Sequence, residues 1–329
     1  MVSSTATETM EQQKIPKKKP LIILTGPTAV GKTELSIELA KKVNGEMISA
    51  DSMQVYRFMD IGTAKIMPEE MQEIKHYLID VLDPTEDFNV VTFQQMAKQA
   101  MEEIYAKGKI PIVVGGTGFY IQALLYDTAF EETEESEYRR ELSAYYEQYG
   151  AHLLHERLKE IDPVSYETIH ENNVKRVIRA LEFYHDTGYP ISKHNSEQRQ
   201  KESPYNFEYF VLNDKRELIY DRIEKRIDIM IRDGLVEEVK KLLSMGCSSD
   251  MVSMQGLGYK EIIPYLDGEC TLEEAVYILK RDTRHFAKRQ LTWFRREKEV
   301  TWVDKSLFTS TKDILQFMLQ QLLEKQIIE

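Results

Sequence analysis

The chain has 329 residues, 42% of them apolar and 30% charged, with a formal net charge of −12. Such a chain can bury a sizeable core, and its acidic excess excludes a protein that coats nucleic acid through overall charge, while leaving room for a local basic groove. Cys247 and Cys270 form no CxxC pair, which argues against a zinc site or disulfide framework, and no run of about 18 apolar residues is present to span a membrane.

Residues 1–19 are polar, end in Lys17, Lys18 and Lys19, and lack the apolar stretch of a secretory signal. They are expected to be a disordered lead-in to a cytoplasmic protein. A strand is predicted over 21–25, then a Gly-rich turn, then a helix over 33–43 in which Leu35, Leu39 and Val43 recur and Asn44-Gly45 is the stop. Further strands are predicted over 47–50, 76–81 and 110–114, with a helix over 92–107 before the last of them. Strands alternating with helices imply an α/β fold: a P-loop parallel sheet core with helices on both faces. From about 131 to 200 no strand-like run occurs, and helical patterns over 136–149, 151–160 and 174–187 predict an all-helical insertion domain. The core is then 20–130 and 201–329. A returning strand is predicted over 207–212. An amphipathic helix over 216–232 follows, striped by Leu218, Ile219, Ile223, Ile227, Met230 and Ile231, and a last long helix spans about 272–296.

The strongest motif is Gly26-Pro27-Thr28-Ala29-Val30-Gly31-Lys32-Thr33, a complete GxxxxGK[ST] after a strand and opening a helix. Backbone amides at a helix N-terminus cradle an anion, and the apolar Ala29 and Val30 contribute only such amides. Lys32 supplies a charge to the outer phosphate, and the Thr33 hydroxyl is a Mg²⁺ ligand. A nucleotide triphosphatase pairs this loop with an apolar strand ending in Asp. Here the strand over 110–114 ends in Gly115, which suits a cradle for a diphosphate leaving group better than an ATP-driven motor.

Asp51, at the predicted end of the second strand, is either a turn cap or a proton acceptor beside the cradle, and the amide of Gln54 matches an adenine edge. Gly115-Gly116-Thr117-Gly118-Phe119-Tyr120 is either a tight strand-to-helix turn or a point of close backbone approach to a ligand. Basic residues in helical register are either a solvated face or a polyanion groove: Lys175, Arg176 and Arg179; Arg222 and Arg226; Arg281, Arg284, Lys288, Arg289, Arg295 and Arg296.

Together these motifs resemble the tRNA dimethylallyltransferase, or tRNA isopentenyltransferase, family of bacterial type. The resemblance runs from about residue 20 to 302 through GPTAVGKT (26–33), ADSMQVYR (50–57), IGTAK (61–65), HYLIDVLDP (76–84), VGGTGFY (114–120), NNVKRVIRALE (172–182), RIEKRIDIMIRDGL (222–235), QGLGYKE (255–261) and AKRQLTWFR (287–295). It implies transfer of a dimethylallyl group from its diphosphate to N6 of adenosine 37 in tRNA, with pyrophosphate released. Residues 26–33 then bind the diphosphate with Mg²⁺ at Thr33, Lys32 and Arg222 or Arg226 stabilise the departing charge, and Asp51 is the base. Ser52, Met53, Gln54, Thr117 and Tyr120 receive the base or line the channel. Lys175, Arg176, Val177, Ile178, Arg179 and Arg289 contact the anticodon stem-loop. A monomer without the C-terminal zinc finger of some relatives is expected. Alternatives of other kinds are an isopentenyltransferase acting on free adenine nucleotides, a small-molecule P-loop kinase or ATPase, and a non-catalytic RNA-binding protein.

Overall fold

The computed structural model describes residues 18–129, 136–198 and 200–329. The expected lead-in, apart from Lys18 and Lys19, and the start of the insertion at 131–135 lie outside the described residues.

The apolar run of β1 (Lys19–Thr25) begins two residues before its predicted start, because Lys19 and Pro20 already align with Tyr205 and Asn206. α1 (Lys32–Val43) follows the P-loop and closes on Asn44 in the left-handed conformation, as Asn-Gly predicts. β2 (Gly45–Ala50) comes next and is buried throughout.

The third strand is a correction. The expected run over 76–81 is only β3 (His76–Tyr77). Leu78 (φ 63°) and Asp80 (φ 55°) turn the chain out of the sheet, and the amides of Asp80, Val81 and Leu82 bond to the carbonyls of Gln54 and Val55 instead. α2 (Val90–Ala106) starts two residues early because the Asn89 side chain accepts from the amides of Val91 and Thr92. β4 (Ile110–Gly115) leads directly into the apolar α3 (Gly118–Leu125).

The helical insertion comprises α4 (Glu137–Glu156), α5 (Leu158–Ile161), α6 (Pro163–Thr168), α7 (Val174–Thr187) and α8 (Ile191–Gln198). α4 is interrupted at Gly150 (φ 84°), the break expected between 149 and 151. This segment has a core of its own, in which Leu142, Leu154, Leu158, Val177 and Leu181 pack together.

β5 (Tyr205–Asn213) returns the chain to the sheet, and α9 (Arg216–Arg232) and α10 (Leu235–Ser244) follow. The short α11 (Ile263–Leu266) precedes α12 (Leu272–Phe294), which is held at its start by a Thr271–Glu274 capping box. β6 (Val300–Asp304) and α13 (Thr311–Glu324), which like α3 and α10 lie beyond the predicted set, complete the core.

Among the described residues the sheet is six-stranded and wholly parallel, in the order β3-β2-β4-β1-β5-β6. One apolar layer, including Phe93, Ile121, Ile223 and Phe294, covers one face. A second, built by α1 and α13 through Leu35, Leu39, Ile314 and Met318, covers the other. Burying both faces is what makes these strands continuous apolar runs.

Candidate active site

The strand order places three functional loops side by side at the carboxyl edge of the sheet. Asp51 follows β2, the 115–118 turn follows β4, and the P-loop follows β1. Adjacent strands lie about 4.8 Å apart, so the loops form one continuous rim where an open α/β sheet binds its ligand.

The P-loop wraps as its sequence demands. Gly26 has φ +147°, and a Cβ there would lie 2.5 Å from the Leu212 carbonyl oxygen. Ala29 and Gly31 also take positive φ, turning the chain so that the first amides of α1 look into the loop. Thr33 is exposed in the first turn of that helix. The Lys32 ammonium folds back to donate to the carbonyls of Gly26 and Pro27, each at 2.9 Å. Burial pushes it down to about 7, helped by the Arg226 charge and opposed by Asp51. Both charges therefore act on Lys32, which brings an acid, an ammonium and a guanidinium into one site. Arg226 is exposed to solvent, yet the protein packed around it holds its guanidinium below the usual arginine range.

Asp51 caps its turn through one carboxylate oxygen and leaves the other outside it. Its Oδ1 accepts from the amides of Met53 (2.9 Å) and Gln54 (3.3 Å), capping the turn. Its Oδ2 takes no part in that turn. Gln54 is tied down by the fold: its Nε2 donates to the carbonyls of Thr63 (3.2 Å) and Ala64 (3.4 Å). Met53 is half-buried against Gly256, and Ser52 is half-buried beside it. Thr117 donates its amide to the Ala50 carbonyl, joining the second turn to the end of β2. Tyr120 is buried, stacked on Phe93 at 4.7 Å and edge-on to Phe88. Its phenol is raised by burial, by Tyr56 and by the Asp51 charge.

Arg222 and Arg226 separate in the structure. Arg222 pairs with Asp214 at 2.7 Å, just past the end of β5, whereas Arg226 acts on Lys32. Two residues outside the expected set contact the P-loop. Lys305, in the turn after β6, donates to the Val30 carbonyl at 3.1 Å, and Gln290 of α12 bonds to Thr28 and Gly116. Gln290 lies inside the AKRQLTWFR motif and Lys305 outside every motif, but their partners, more than 170 residues away, are not readable from local sequence. Gly115 explains the missing metal-binding aspartate: a Cβ there would lie 2.3 Å from the Ala50 carbonyl oxygen, leaving no room for a carboxylate.

The loop of the IGTAK motif is held from outside the rim. The Glu238 carboxylate accepts from the amides of Asp60 (2.9 Å), Ile61 (2.8 Å) and Gly62 (3.0 Å) and from the Tyr259 hydroxyl (2.7 Å). Glu238→Ala leaves these donors unmatched and is expected to cost about 2–4 kcal/mol of stability. A thermal melt checks this; an unchanged Tm would show that the loop does not depend on the carboxylate.

A basic cavity of about 460 Å³ opens between the insertion and α12, lined by Arg176, His285, Lys288, Arg289, Thr292, Trp293 and Arg296. Of the stretch 175–179, Lys175 and Arg176 are exposed. The expectation that Val177 and Ile178 contact RNA is corrected: both are buried in the insertion's core. Arg179 pairs with Glu182 (3.1 Å), as does Arg139 (2.6 Å), and burial of that carboxylate is outweighed by these bonds, so it falls to about 2. No helix among the described residues is long and apolar enough to cross a membrane.

A parallel sheet with a P-loop after a central strand, and an aspartate and a second Gly-rich turn on the strands beside it, defines an α/β enzyme of the P-loop class. A family model described as IPP transferase matches residues 54–297. The chain is 61% identical over 312 residues to the tRNA dimethylallyltransferase of Lachnoclostridium phytofermentans, across 94% of this chain and 100% of that protein. It is similar to the solved tRNA isopentenylpyrophosphate transferase of Bacillus halodurans, with TM-score 0.70, 46% identity and coverage of 94% of this chain and 98% of that one. It is also similar to a eukaryotic dimethylallyltransferase solved acting on tRNA, with TM-score 0.78, 29% identity and coverage of 94% and 80%. The chain belongs to the tRNA dimethylallyltransferase family.

Proposed function

We propose that this enzyme transfers a dimethylallyl group from dimethylallyl diphosphate to N6 of adenosine 37 in tRNA, releasing pyrophosphate. The observation that carries the reading is the placement of the P-loop, Asp51 and the 115–118 turn side by side at the carboxyl edge of the sheet. The P-loop amides and Lys32 hold the diphosphate, and Arg226 adds charge at the same place. Thr33, exposed in the first turn of α1, is the residue that would hold Mg²⁺ through its hydroxyl. The bound ion would offset charge developing on the leaving group.

The exocyclic amine of adenine is a weak nucleophile because its lone pair is delocalised into the ring. Asp51 accepts a hydrogen bond from it and takes one proton as the N6–C1 bond forms and the C1–O bond to the diphosphate breaks. Lys32 and the amides stabilise the charge left on pyrophosphate. The base must leave the anticodon-loop stack to reach this rim, at lower cost in a loop than in a duplex. Residues 136–198 form the helical part of the RNA-binding insertion, and the basic cavity beside it takes the anticodon stem-loop. A monomer working in the cytoplasm, where its tRNA substrate is found, completes the proposal.

Neutralising Lys175, Arg176 and Arg289 together is expected to weaken tRNA binding and to reduce the slope of log affinity against log salt by roughly two. Filter binding across a salt series reads this; an unchanged slope would remove the cavity as the RNA site. The activity itself is tested with labelled dimethylallyl diphosphate offered to unmodified tRNA or to AMP. Label in tRNA supports the proposal, and label in AMP alone would assign the enzyme to free nucleotides.

A further inference from the structure

Gln290 belongs to no part of the mechanism above, yet its side chain ties two of the three rim loops together. It is 6% exposed, on the inner face of α12 with Ala287 and Phe294. Its Oε1 accepts from the Thr28 amide at 2.8 Å, and its Nε2 donates to the Gly116 carbonyl at 3.0 Å. Pro27 carries no N–H, so Thr28 is the first amide of the loop after Gly26. The fit is close on the other side as well: a Cβ on Gly116 would lie 2.2 Å from Nε2. Only a side-chain amide presents an acceptor and a donor at these two points. A carboxylate cannot donate to the Gly116 carbonyl, and a thioether of the same length satisfies neither partner well.

We infer that Gln290 is a positioning residue of the donor site, holding the first arm of the P-loop at a fixed distance from the 115–118 turn so that the diphosphate cradle stands formed before its ligand arrives. Its place on α12 adds a consequence. Lys288, Arg289, Thr292 and Trp293 of the same two turns line the basic cavity, so the helix that faces RNA also braces the diphosphate loop. The inference rests on the donor-site reading above, and its test keeps the two apart by using inorganic pyrophosphate, whose binding needs no transfer reaction.

Gln290→Met and Gln290→Glu are compared with the native enzyme by calorimetry with Mg²⁺ and pyrophosphate, and by steady-state prenyl transfer. Loss of one or two buried hydrogen bonds that shape the cradle is expected to weaken pyrophosphate binding about tenfold and to raise the donor KM in proportion. Affinity for tRNA measured without donor stays unchanged. Gln290→Glu serves if Gln290→Met does not fold, because it keeps shape and the Thr28 acceptor. Native pyrophosphate affinity in both variants would overturn the inference. So would a Gln290→Met enzyme in which tRNA affinity, kcat and donor KM all decline with Tm, because that is the behaviour of a packing residue. If the native protein binds pyrophosphate and transfers nothing, the functional reading fails while weaker pyrophosphate binding by the variants still upholds Gln290.

Discussion

Asp51→Asn is expected to lower kcat for prenyl transfer by about 10²–10⁴-fold, the range for removing a positioned general base. Asparagine is the informative replacement. Its Oδ1 still accepts from the amides of Met53 and Gln54, so the turn after β2 stands, and what is lost is proton acceptance at the other carboxylate oxygen. Asp51→Ala would also remove the cap and mix a loop defect with the chemical one. Donor binding should persist near pH 6.5, where Lys32 is still largely protonated. Above that it should weaken modestly, because the Asp51 charge favours the Lys32 ammonium and the asparagine lacks it. Single-turnover kinetics with saturating tRNA and donor measure the effect. Transfer at the native rate would remove Asp51 as the base.

The second large effect concerns Lys32 itself. Replacing it with methionine deletes a charged contact to the diphosphate worth about 1.5–3 kcal/mol, so the donor Kd should rise roughly 10–100-fold. The native residue also makes binding proton-linked. In the free enzyme Lys32 sits at about 7, whereas beside a diphosphate it is held as the ammonium. Donor binding at pH 8 should therefore take up close to one proton, and this uptake should decline towards zero by about pH 6. Calorimetry in buffers of different ionisation enthalpy reads the proton count, and Lys32→Met should abolish it. Heats independent of buffer at pH 8 would show that Lys32 does not gain a proton on binding. The ligand-free fold responds in the opposite sense. Between about 7 and the ordinary lysine value of 10.5 the unfolded chain binds more protons at this position than the native one, so Lys32's contribution to stability improves as pH rises.

The readable parts of this molecule are those whose physics is local. GxxxxGK[ST] encodes its own loop because glycine at 26 and 31, a lysine and a hydroxyl must follow one another in the chain to wrap one phosphate. Asn44-Gly45, Gly150 and Gly188 end helices where expected, since each supplies a left-handed residue. The carboxyl-edge position of Asp51 followed from its place after an apolar run. β3 was shortened by Leu78 and Asp80, residue types that give no warning of a positive φ. α13 does carry a legible stripe in Ile314, Leu315, Met318 and Leu322, so its absence from the predicted elements reflects a signal left unread. Val177 and Ile178 sat inside a basic run, and only the helix register turned them inward. Gln290 lay within the AKRQLTWFR motif, but its contact with the P-loop, like that of Lys305, is made by the fold alone.

The central claim is that this P-loop holds an allylic diphosphate beside Asp51 and yields its pyrophosphate on transfer to tRNA. The most direct measurement mixes the enzyme, Mg²⁺, unmodified tRNA bearing adenosine at 36 and 37, and dimethylallyl diphosphate labelled separately in the allyl group and the phosphates, without ATP. The account predicts one allyl label in tRNA for each pyrophosphate released, with both lost in Asp51→Asn. Pyrophosphate release without labelled tRNA, or transfer that requires ATP, would contradict it.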